Sequence, residues 1–327
     1  MFVYQRDPGE VKCFSMAWGE KTDEPIPWNH LSLYNRAGFC ALNLQSGQEY
    51  LRLDYHEDGR LIGSLCGVRF DDQFVSGYSA GFGGIDMVRD PEELARLPAM
   101  ISAFCRHLSA LGVRQMRIRC KPEGYSTNET MLHFVLLNAG FSILECSLNA
   151  HLPVDAYISP EMYIQKLASP PRRCLKHGLK ENFVLRVAES LEEWSTGYAV
   201  LESNRAQKGR RLSLTLDYIM RLRQIFPKNI ALFLLTHEES VIAAALVYDV
   251  TRRCSQVMYW GDAQHALSHS PMNVLAYRLV EQALGQGGRL LDLGATTPQG
   301  NPGVLRFKQS VAARVGLRFT LQHDLHG

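Results

Sequence analysis

The chain has 327 residues, of which 46% are hydrophobic and 21% charged, and its formal net charge is +2. This length exceeds the usual size of one domain, so we expect two domains, and the composition excludes a disordered or fibrous protein. The small net charge does not by itself indicate nucleic acid or an anionic membrane as a partner. Because residues 1–10 carry charges and a proline, and no apolar run approaches the roughly 18 residues that span a bilayer, we predict a cytoplasmic protein without a transmembrane segment.

The cysteines and histidines indicate neither cross-links nor metal. The eight cysteines are scattered without a C-x-x-C pair, and the eleven histidines show no H-E-x-x-H or similar spacing. We therefore predict reduced, buried thiols, no disulfide framework and no metal site.

The first half of the chain predicts an antiparallel meander followed by alternating helices and strands. Three short β-rich runs occupy residues 49–79, with turn signals at Asp58-Gly59 and Asp71-Asp72. Asp90-Pro91-Glu92-Glu93 predicts a helix start, since it combines an N-cap side chain, an early proline and early acids. The later elements are predicted as a helix ended by Gly112, a strand at 114–120, a helix capped by Asn128 and a strand at 141–152. Residues 1–48 are expected to pack on this half as a mixed element.

The second half repeats this order. A strand at 183–188 precedes the capping box Ser190-Leu191-Glu192-Glu193, which predicts a helix towards Arg205, and a polar loop follows at 206–211. The later elements are predicted as a helix, three strands, a helix, a strand, a helix and a strand, at 216–225, 230–236, 241–250, 255–260, 272–284, 289–294, 302–312 and 315–321. Because the element order recurs, we infer a structural duplication.

A basic segment separates the two halves. Ser159-Pro160-Glu161 predicts the start of a short helix, and Pro170-Pro171 predicts its end before the basic run 172–180. We therefore predict three parts: an N-terminal domain over 1–158, a basic linker helix over 159–182 and a C-terminal domain over 183–327.

This element order is similar to the fold of the GNAT superfamily of N-acetyltransferases. That fold is α/β (α+β), with a mixed, mainly antiparallel sheet flanked by helices, and the strand before its third helix splays from its neighbour to admit an acyl donor. Leu291-Asp292-Leu293-Gly294 and Gly303-Val304-Leu305-Arg306-Phe307-Lys308 resemble the terminal signature of the Fem family, the aminoacyl-tRNA-dependent transferases of peptidoglycan bridges and their acyltransferase relatives. Pro171-Arg172-Arg173-Cys174-Leu175-Lys176 resembles the interdomain element of that family. The resemblance covers most of residues 50–321 and implies two tandem GNAT-like domains.

The resemblance implies an N-acyltransferase whose second domain is catalytic. It would move an acyl or aminoacyl group from acyl-CoA or aminoacyl-tRNA onto an amine, for example of a cell-envelope or sugar-nucleotide precursor. These donors are co-substrates, and no tightly bound cofactor is expected. The alternative is a catalytically silent module of the same fold that binds a nucleotide or RNA through its basic segment. The sequence leaves the oligomeric state open.

Lys308, Tyr259 and Asp292 are the candidate catalytic residues. Lys308 matches the Fem-like signature, and its ammonium would stabilise an oxyanion or a donor phosphate. Tyr259 lies at the end of the splayed strand, where it would donate a proton to the leaving group or orient the amine. Asp292 would accept the proton of the amine, with Asp262 and His265 as alternatives. A solvated lysine, a core aromatic residue and a capping aspartate would give the same patterns.

Two groups of basic residues are candidates for substrate binding. One lies in the basic segment and would contact phosphates of tRNA or of a nucleotide-linked acceptor. The other follows the first helix of the second half, next to the acceptor cleft of this fold. They are Arg172, Arg173 and Lys176 in the first group, and Arg205, Lys208, Arg210 and Arg211 in the second. Solvated surface residues would give the same pattern.

The donor remains open at this stage. Acetyl-CoA-dependent members of the superfamily carry Arg/Gln-x-x-Gly-x-Gly/Ala before the third helix, so that backbone amides hold the pyrophosphate. Residues 264–271 occupy that position here and contain no glycine, which favours aminoacyl-tRNA. The small net charge and the lack of a coiled-coil arm favour acyl-CoA instead. Gly81-Phe82-Gly83-Gly84 in the first half is glycine-rich, but it lacks the basic residue and the helix directly after it.

Overall fold

The structure is a computed structural model that describes residues 9–20, 30–88, 94, 96–296 and 302–325. The chain divides into two compact units: unit 1 comprises Met1–Ser147 and Leu317–Gly327, and unit 2 comprises Leu148–Gly316. Each unit has a mixed, mainly antiparallel sheet flanked by helices. The predicted fold class is therefore confirmed.

The described residues form thirteen strands and nine α-helices. The strands are β1 (Glu10–Ala17), β2 (Glu49–Glu57), β3 (Arg60–Phe70), β4 (Gln73–Ser76), β5 (Ile85–Met87), β6 (Gln115–Arg119), β7 (Ser142–Pro153), β8 (Phe183–Val187), β9 (Ile230–His237), β10 (Ser240–Asp249), β11 (Cys254–Asp262), β12 (Leu290–Thr296) and β13 (Arg314–Asp324). The helices are α1 (Ala37–Ala41), α2 (Arg96–Ala110), α3 (Glu129–Asn138), α4 (Pro160–Lys166), α5 (Ser169–Gly178), α6 (Leu191–Ala206), α7 (Leu216–Ile225), α8 (Pro271–Gly285) and α9 (Pro302–Ser310).

The sheet of unit 1 has the order β1-β2-β3-β4-β6-β13, and β5 also pairs with β3. The predicted turn between β2 and β3 is confirmed, because Asp58 and Gly59 have φ values of 50° and 72°, as a tight two-residue hairpin requires. Leu97, Ile101 and Phe104 of α2 are buried against this sheet. The predicted start of that helix, at residues 90–93, lies outside the described residues.

The sheet of unit 2 has the order β7-β12-β11-β10-β9-β8. The predicted capping box is confirmed: Ser190 accepts a hydrogen bond from the backbone N–H of Glu193, and the Glu193 side chain accepts one from the backbone N–H of Ser190. Helix α8 is the central helix of this unit, with Val274, Leu275 and Val280 fully buried in the core. The start of α6 is thus determined by a local sequence signal, and the position of α8 by apolar packing.

The basic segment differs from its prediction in one respect. Pro170 and Pro171 were expected to end a helix, but they lie in the first turn of α5. Proline is favoured there because the N–H groups of the first turn have no acceptor within the helix, so the N–H that proline lacks is not needed. Residues 159–182 therefore contain two helices, and both belong to unit 2.

The bounds of the units also differ from the predicted domains. Residues 148–153 of β7 pair with β12 and belong to unit 2. Residues 320–324 of β13 pair with β6 and belong to unit 1, although the closing strand was assigned to the C-terminal domain. Each sheet is thus completed by a strand distant in sequence. No helix among the described residues is long and apolar enough to cross a membrane.

Candidate active site

The strands β11 and β12 separate along their length. They pair in parallel over only three positions, Cys254–Gln256 with Leu290–Asp292. Beyond these residues β11 continues to Asp262 in contact with β10, whereas β12 continues to Thr296 in contact with β7. The two strands diverge as the resemblance to the GNAT fold implied.

A cleft of about 480 Å³ opens in unit 2 at the far end of β11. The end of α6 and the loop after it contribute Arg205, Lys208 and Arg210 to its walls. The remaining walls come from Trp260, Gly261 and Asp262 at the end of β11, from residues 270–273 at the start of α8, and from α9. The cleft therefore combines a basic side, an apolar side and one carboxylate.

Two aromatic rings form much of the apolar side of the cleft. Trp260 and Phe307 make an edge contact with ring centroids 5.4 Å apart, and both line the cleft. Gly261 lies beside Trp260, and a Cβ at this glycine would lie only 2.7 Å from Cγ of Asn204. Glycine is thus required for the close packing of α6 on β11, which places Asn204 at the cleft.

Asn204, Asp262 and Lys208 form a hydrogen-bonded polar cluster. Nδ2 of Asn204 donates to Oδ1 of Asp262 (2.8 Å) and to the backbone carbonyl of Asp262 (3.0 Å), while Nζ of Lys208 donates to Oδ1 of Asn204 (2.7 Å). Burial raises the pKa of Asp262, and the nearby Lys208 only partly offsets this effect. The pKa of Lys208 is lowered, mainly by burial. Asp262 raises it in part, whereas the positive charges of Arg205 and Arg210 lower it further. The cluster thus fixes a carboxylate with a raised pKa next to an amide and a lysine.

Tyr259 faces the loop after α6 and does not line the cleft. Its hydroxyl oxygen accepts hydrogen bonds from the backbone N–H groups of Ser213 (3.2 Å) and Leu214 (3.1 Å), and it lies 2.6 Å from Oγ of Ser213. The guanidinium of Arg205 lies 5.7 Å from the centre of the Tyr259 ring. This tyrosine thus connects the end of β11 to the basic side of the cleft.

Lys308 lies on α9, directly after the cleft residue Phe307. Its side chain is almost completely buried, and Nζ donates a hydrogen bond to the backbone carbonyl of Gly294 (2.8 Å) and lies 3.5 Å from that of Ala295. Gly294 has a φ of 82°, which a glycine adopts without strain. The ammonium therefore lies at the end of β12, where that strand has diverged from β11.

Asp292 is fully buried in β12. Its Oδ1 accepts hydrogen bonds from Nδ2 of Asn149 (2.8 Å) and from the backbone N–H of Gly294 (2.8 Å). These bonds lie next to the irregularity in the pairing of β12 with β7. Asp292 does not line the cleft, whereas Asp262 does.

The basic residues predicted to bind substrate fall into three positions. Arg205 and Lys208 line the cleft. Arg172 bonds to the end of α4 instead, because its guanidinium donates to the carbonyls of Leu167 (2.6 Å) and Gln165 (2.8 Å). Arg173 and Lys176 are exposed on α5 and are not among the described residues that line the cleft.

In unit 1, residues 77–84 pack against the end of β6, the strand that pairs in parallel with β4. The backbone N–H of Gly83 donates to the carbonyl of Arg119 (2.8 Å), whose guanidinium donates to the carbonyls of Gly77 and Ala80. A Cβ at Gly83 would lie 2.4 Å from the nitrogen of Gly77. The glycine-rich stretch noted in the sequence therefore packs as a tight loop against β6.

Sequence reasoning did not identify Asn204. Asparagine is a poor helix former, so its place inside α6 is unusual. Asn204 is only 4% exposed, and its amide bonds to Asp262 at the end of β11. The sequence feature that could have indicated Asn204 is its position one residue before Arg205, on a helix that packs closely against Gly261.

The comparison with known families now agrees with this geometry. Residues 168–309 match the family described as an acetyltransferase (GNAT) domain. The match lies within unit 2 and confirms the predicted resemblance to the GNAT superfamily. No curated protein matches the sequence.

Solved structures extend the likeness to both units. FemX has a TM-score of 0.69 and 12% identity, with 89% of this chain and 92% of FemX covered. The C-terminal domain of a lysylphosphatidylglycerol synthetase from Agrobacterium fabrum has a TM-score of 0.52 and 14% identity, with 81% of each chain covered. The protein named L-PGS from Bacillus licheniformis has a TM-score of 0.52 and 12% identity, with 86% of this chain and 85% of that protein covered. At these identities the likeness shows a shared fold.

Proposed function

We propose that the chain is an N-acyltransferase that binds its donor in the cleft of unit 2 and transfers the acyl or aminoacyl group to an amine. The separation of β11 and β12 after three paired positions carries this proposal, because it opens the sheet beside the cleft. The GNAT family match over residues 168–309 supports the same reaction class.

The basic side of the cleft supports a phosphorylated donor. Arg205, Lys208 and Arg210 bring three cations to one wall. Pro271 begins α8, and the first residues of this helix face the same space, so the positive end of the helix dipole adds to the field. Acyl-CoA and aminoacyl-tRNA both carry phosphates, and Trp260 and Phe307 offer an apolar surface to the remainder of the donor.

Asp262 is our proposal for the proton acceptor. The amine attacks the donor carbonyl and its proton passes to the Asp262 carboxylate. The tetrahedral intermediate then collapses to the amide as the bond from the carbonyl carbon to the sulfur or oxygen of the carrier breaks, and the carrier takes up the proton from Asp262. Asp262 lines the cleft, and burial raises its pKa, so its carboxylate binds a proton more strongly than an exposed aspartate does. Asp292, the first candidate from the sequence, is completely buried and its contacts support β12.

Lys308 remains our proposal for the group that stabilises the oxyanion or a donor phosphate. Its ammonium is buried at the end of β12, one residue along the chain from a ring that lines the cleft. A fixed cation in a site with little water is worth far more than one in solvent. The acceptor is proposed to be an amine of a cell-envelope or sugar-nucleotide precursor, reached in the cytoplasm.

The function is tested by transfer assays with each donor separately. Acetyl-CoA and aminoacyl-tRNA are incubated with a panel of primary amines, and release of CoA or deacylated tRNA is followed by chromatography. Amine-dependent release with one donor is expected from the wild type and should be abolished in Trp260→Ala. The matched control is Trp18→Ala, since Trp18 is 57% exposed in unit 1. Absence of amine-dependent release with both donors would contradict the proposal.

A further inference from the structure

The segment that joins α6 to α7 carries much of the positive charge of the cleft. We call residues 207–214 the basic loop. It has no regular secondary structure, and Lys208, Arg210 and Arg211 are exposed. Lys208 and Arg210 also line the cleft. A loop of this kind holds its cations in one place only if its backbone is fixed to the body of the domain.

The start of the loop is held by backbone hydrogen bonds from residues 207–210 to the last turn of α6, and its end is held by one side chain of β11. The Tyr259 hydroxyl accepts the backbone N–H groups of two consecutive loop residues, Ser213 and Leu214, at 3.2 and 3.1 Å. It also bonds with Oγ of Ser213 at 2.6 Å. Two acceptor positions and one donor exhaust the capacity of a phenolic hydroxyl. All the hydrogen bonds that the Tyr259 hydroxyl can make are therefore made with the loop.

The surroundings of Tyr259 reinforce this link. Tyr198 on α6 donates its hydroxyl to the carbonyl of Leu214 (3.0 Å), so the end of the loop is held from two sides. The Arg205 guanidinium packs over the Tyr259 ring at 5.7 Å. Trp260, Gly261 and Asp262, which directly follow Tyr259 on β11, all line the cleft. The basic loop is thus attached to a strand whose end also lines the cleft.

We propose that Tyr259 is a positioning residue: its hydroxyl fixes the end of the basic loop to β11 and so completes the attachment, begun by α6, of the segment that carries Lys208 and Arg210. This role replaces proton donation to the leaving group. The proposal rests on the proposed function only for what the cleft binds, because the attachment itself is a property of the protein alone.

The first test is limited proteolysis with trypsin, which cleaves after Lys208, Arg210 and Arg211. Tyr259→Phe removes both acceptor bonds to the loop, so cleavage within the loop should become roughly tenfold faster. The matched control is Tyr248→Phe, because Tyr248 is buried in the same sheet and its hydroxyl has no hydrogen-bond partner among the described residues. Cleavage after Arg252 and Arg253, in the exposed turn between β10 and β11, reports any general loosening.

Two results would overturn the proposal. In one, Tyr259→Phe is cut in the loop at the wild-type rate. In the other, cleavage after Arg252 and Arg253 rises equally, so that the effect is global. Hydrogen exchange on the wild type covers the case in which Tyr259→Phe does not fold. The amides of Ser213 and Leu214 should be protected while that of Arg211 exchanges fast, and equal fast exchange at all three would also overturn the proposal.

A kinetic readout separates positioning from catalysis. With whichever donor supports transfer, Tyr259→Phe should raise the donor KM roughly tenfold and leave kcat near the wild-type value. A fall in kcat at unchanged KM would assign Tyr259 to the chemical step and overturn the proposal. Failure of the proposed function would abolish transfer in the wild type too, while the proteolysis and exchange results would stand independently.

Discussion

The amide of Asn204 donates to the carboxylate of Asp262 at 2.8 Å, which fixes the one acidic side chain among the described residues that line the cleft. Lys208 in turn donates to Oδ1 of Asn204, which determines how the amide is oriented. Asp262 is thus presented to the cleft in one orientation. An acid held this way needs no reorganisation before it accepts a proton.

Asp262→Asn should reduce the rate of transfer by roughly 100-fold or more while leaving the fold intact, since a positioned base contributes about that factor. The wild-type rate should fall on the acid side with an apparent pKa above the ordinary aspartate value of 3.8, because burial raises the pKa of Asp262 and only its ionised form accepts a proton. The check is a profile of kcat/KM against pH. Asp292→Asn is the comparison, and an acid limb that follows Asp292 instead would remove Asp262 from the mechanism.

Lys308→Ala should lower kcat by roughly 100-fold if the ammonium stabilises the oxyanion. It should also lower the free energy of unfolding by about 1–3 kcal/mol, because the carbonyl of Gly294 loses a buried partner. Transfer assays and urea denaturation measure the two effects. Lys228→Ala is the matched control, since Lys228 is exposed. A destabilised variant with unchanged kcat would leave Lys308 only a structural role.

Arg172→Ala should destabilise the protein by about 1 kcal/mol, since its guanidinium bonds to two carbonyls at the end of α4. Arg173→Ala should change stability by less than about 0.5 kcal/mol, because Arg173 is exposed. Thermal unfolding of the two variants side by side makes the comparison. Equal stability of both would show that the Arg172 contacts contribute nothing measurable.

Lys121→Met should strongly destabilise unit 1. Nζ of Lys121 lies 2.7 Å from Oδ1 of Asp86 and 3.6 Å from Oε1 of Glu129, and all three side chains are almost completely buried. Removing one partner leaves uncompensated buried charge, which costs about 3–5 kcal/mol. Denaturant unfolding provides the measurement. The double variant Lys121→Met with Asp86→Asn should recover part of the loss, and no recovery would argue against direct coupling of this pair.

The elements that sequence predicted best are those that local chemistry determines. Asp58-Gly59 and the Ser190 capping box each specify a turn or a helix start within a few residues. The partners of β7 and β13 were not predicted, because the residues of a strand do not indicate which sheet it will join. The two prolines of the basic segment were misplaced for a related reason, since proline both ends helices and begins them.

The candidate site divides in the same way. The basic residues Arg205 and Lys208 were predicted from their place after the first helix of unit 2, and both line the cleft. The choice between Asp262 and Asp292 required the structure, because a strand-end position does not say whether a carboxylate faces a cavity or the interior. The contact between Tyr259 and residues 213–214 joins positions about 45 residues apart, and no sequence spacing indicates it.

The central claim is that the cleft beside the diverging strands binds the donor. The most direct measurement is a thermal-shift titration of the wild type and of the double variant Lys208→Ala with Arg210→Ala, using CoA, acetyl-CoA and non-acylated tRNA, since a ligand of the native state raises Tm. We predict a saturable rise in Tm with the CoA compounds or with tRNA, and a clearly weaker response of the double variant at the same ligand concentrations. No rise with any of these ligands, or an equal rise in the double variant, would contradict the claim.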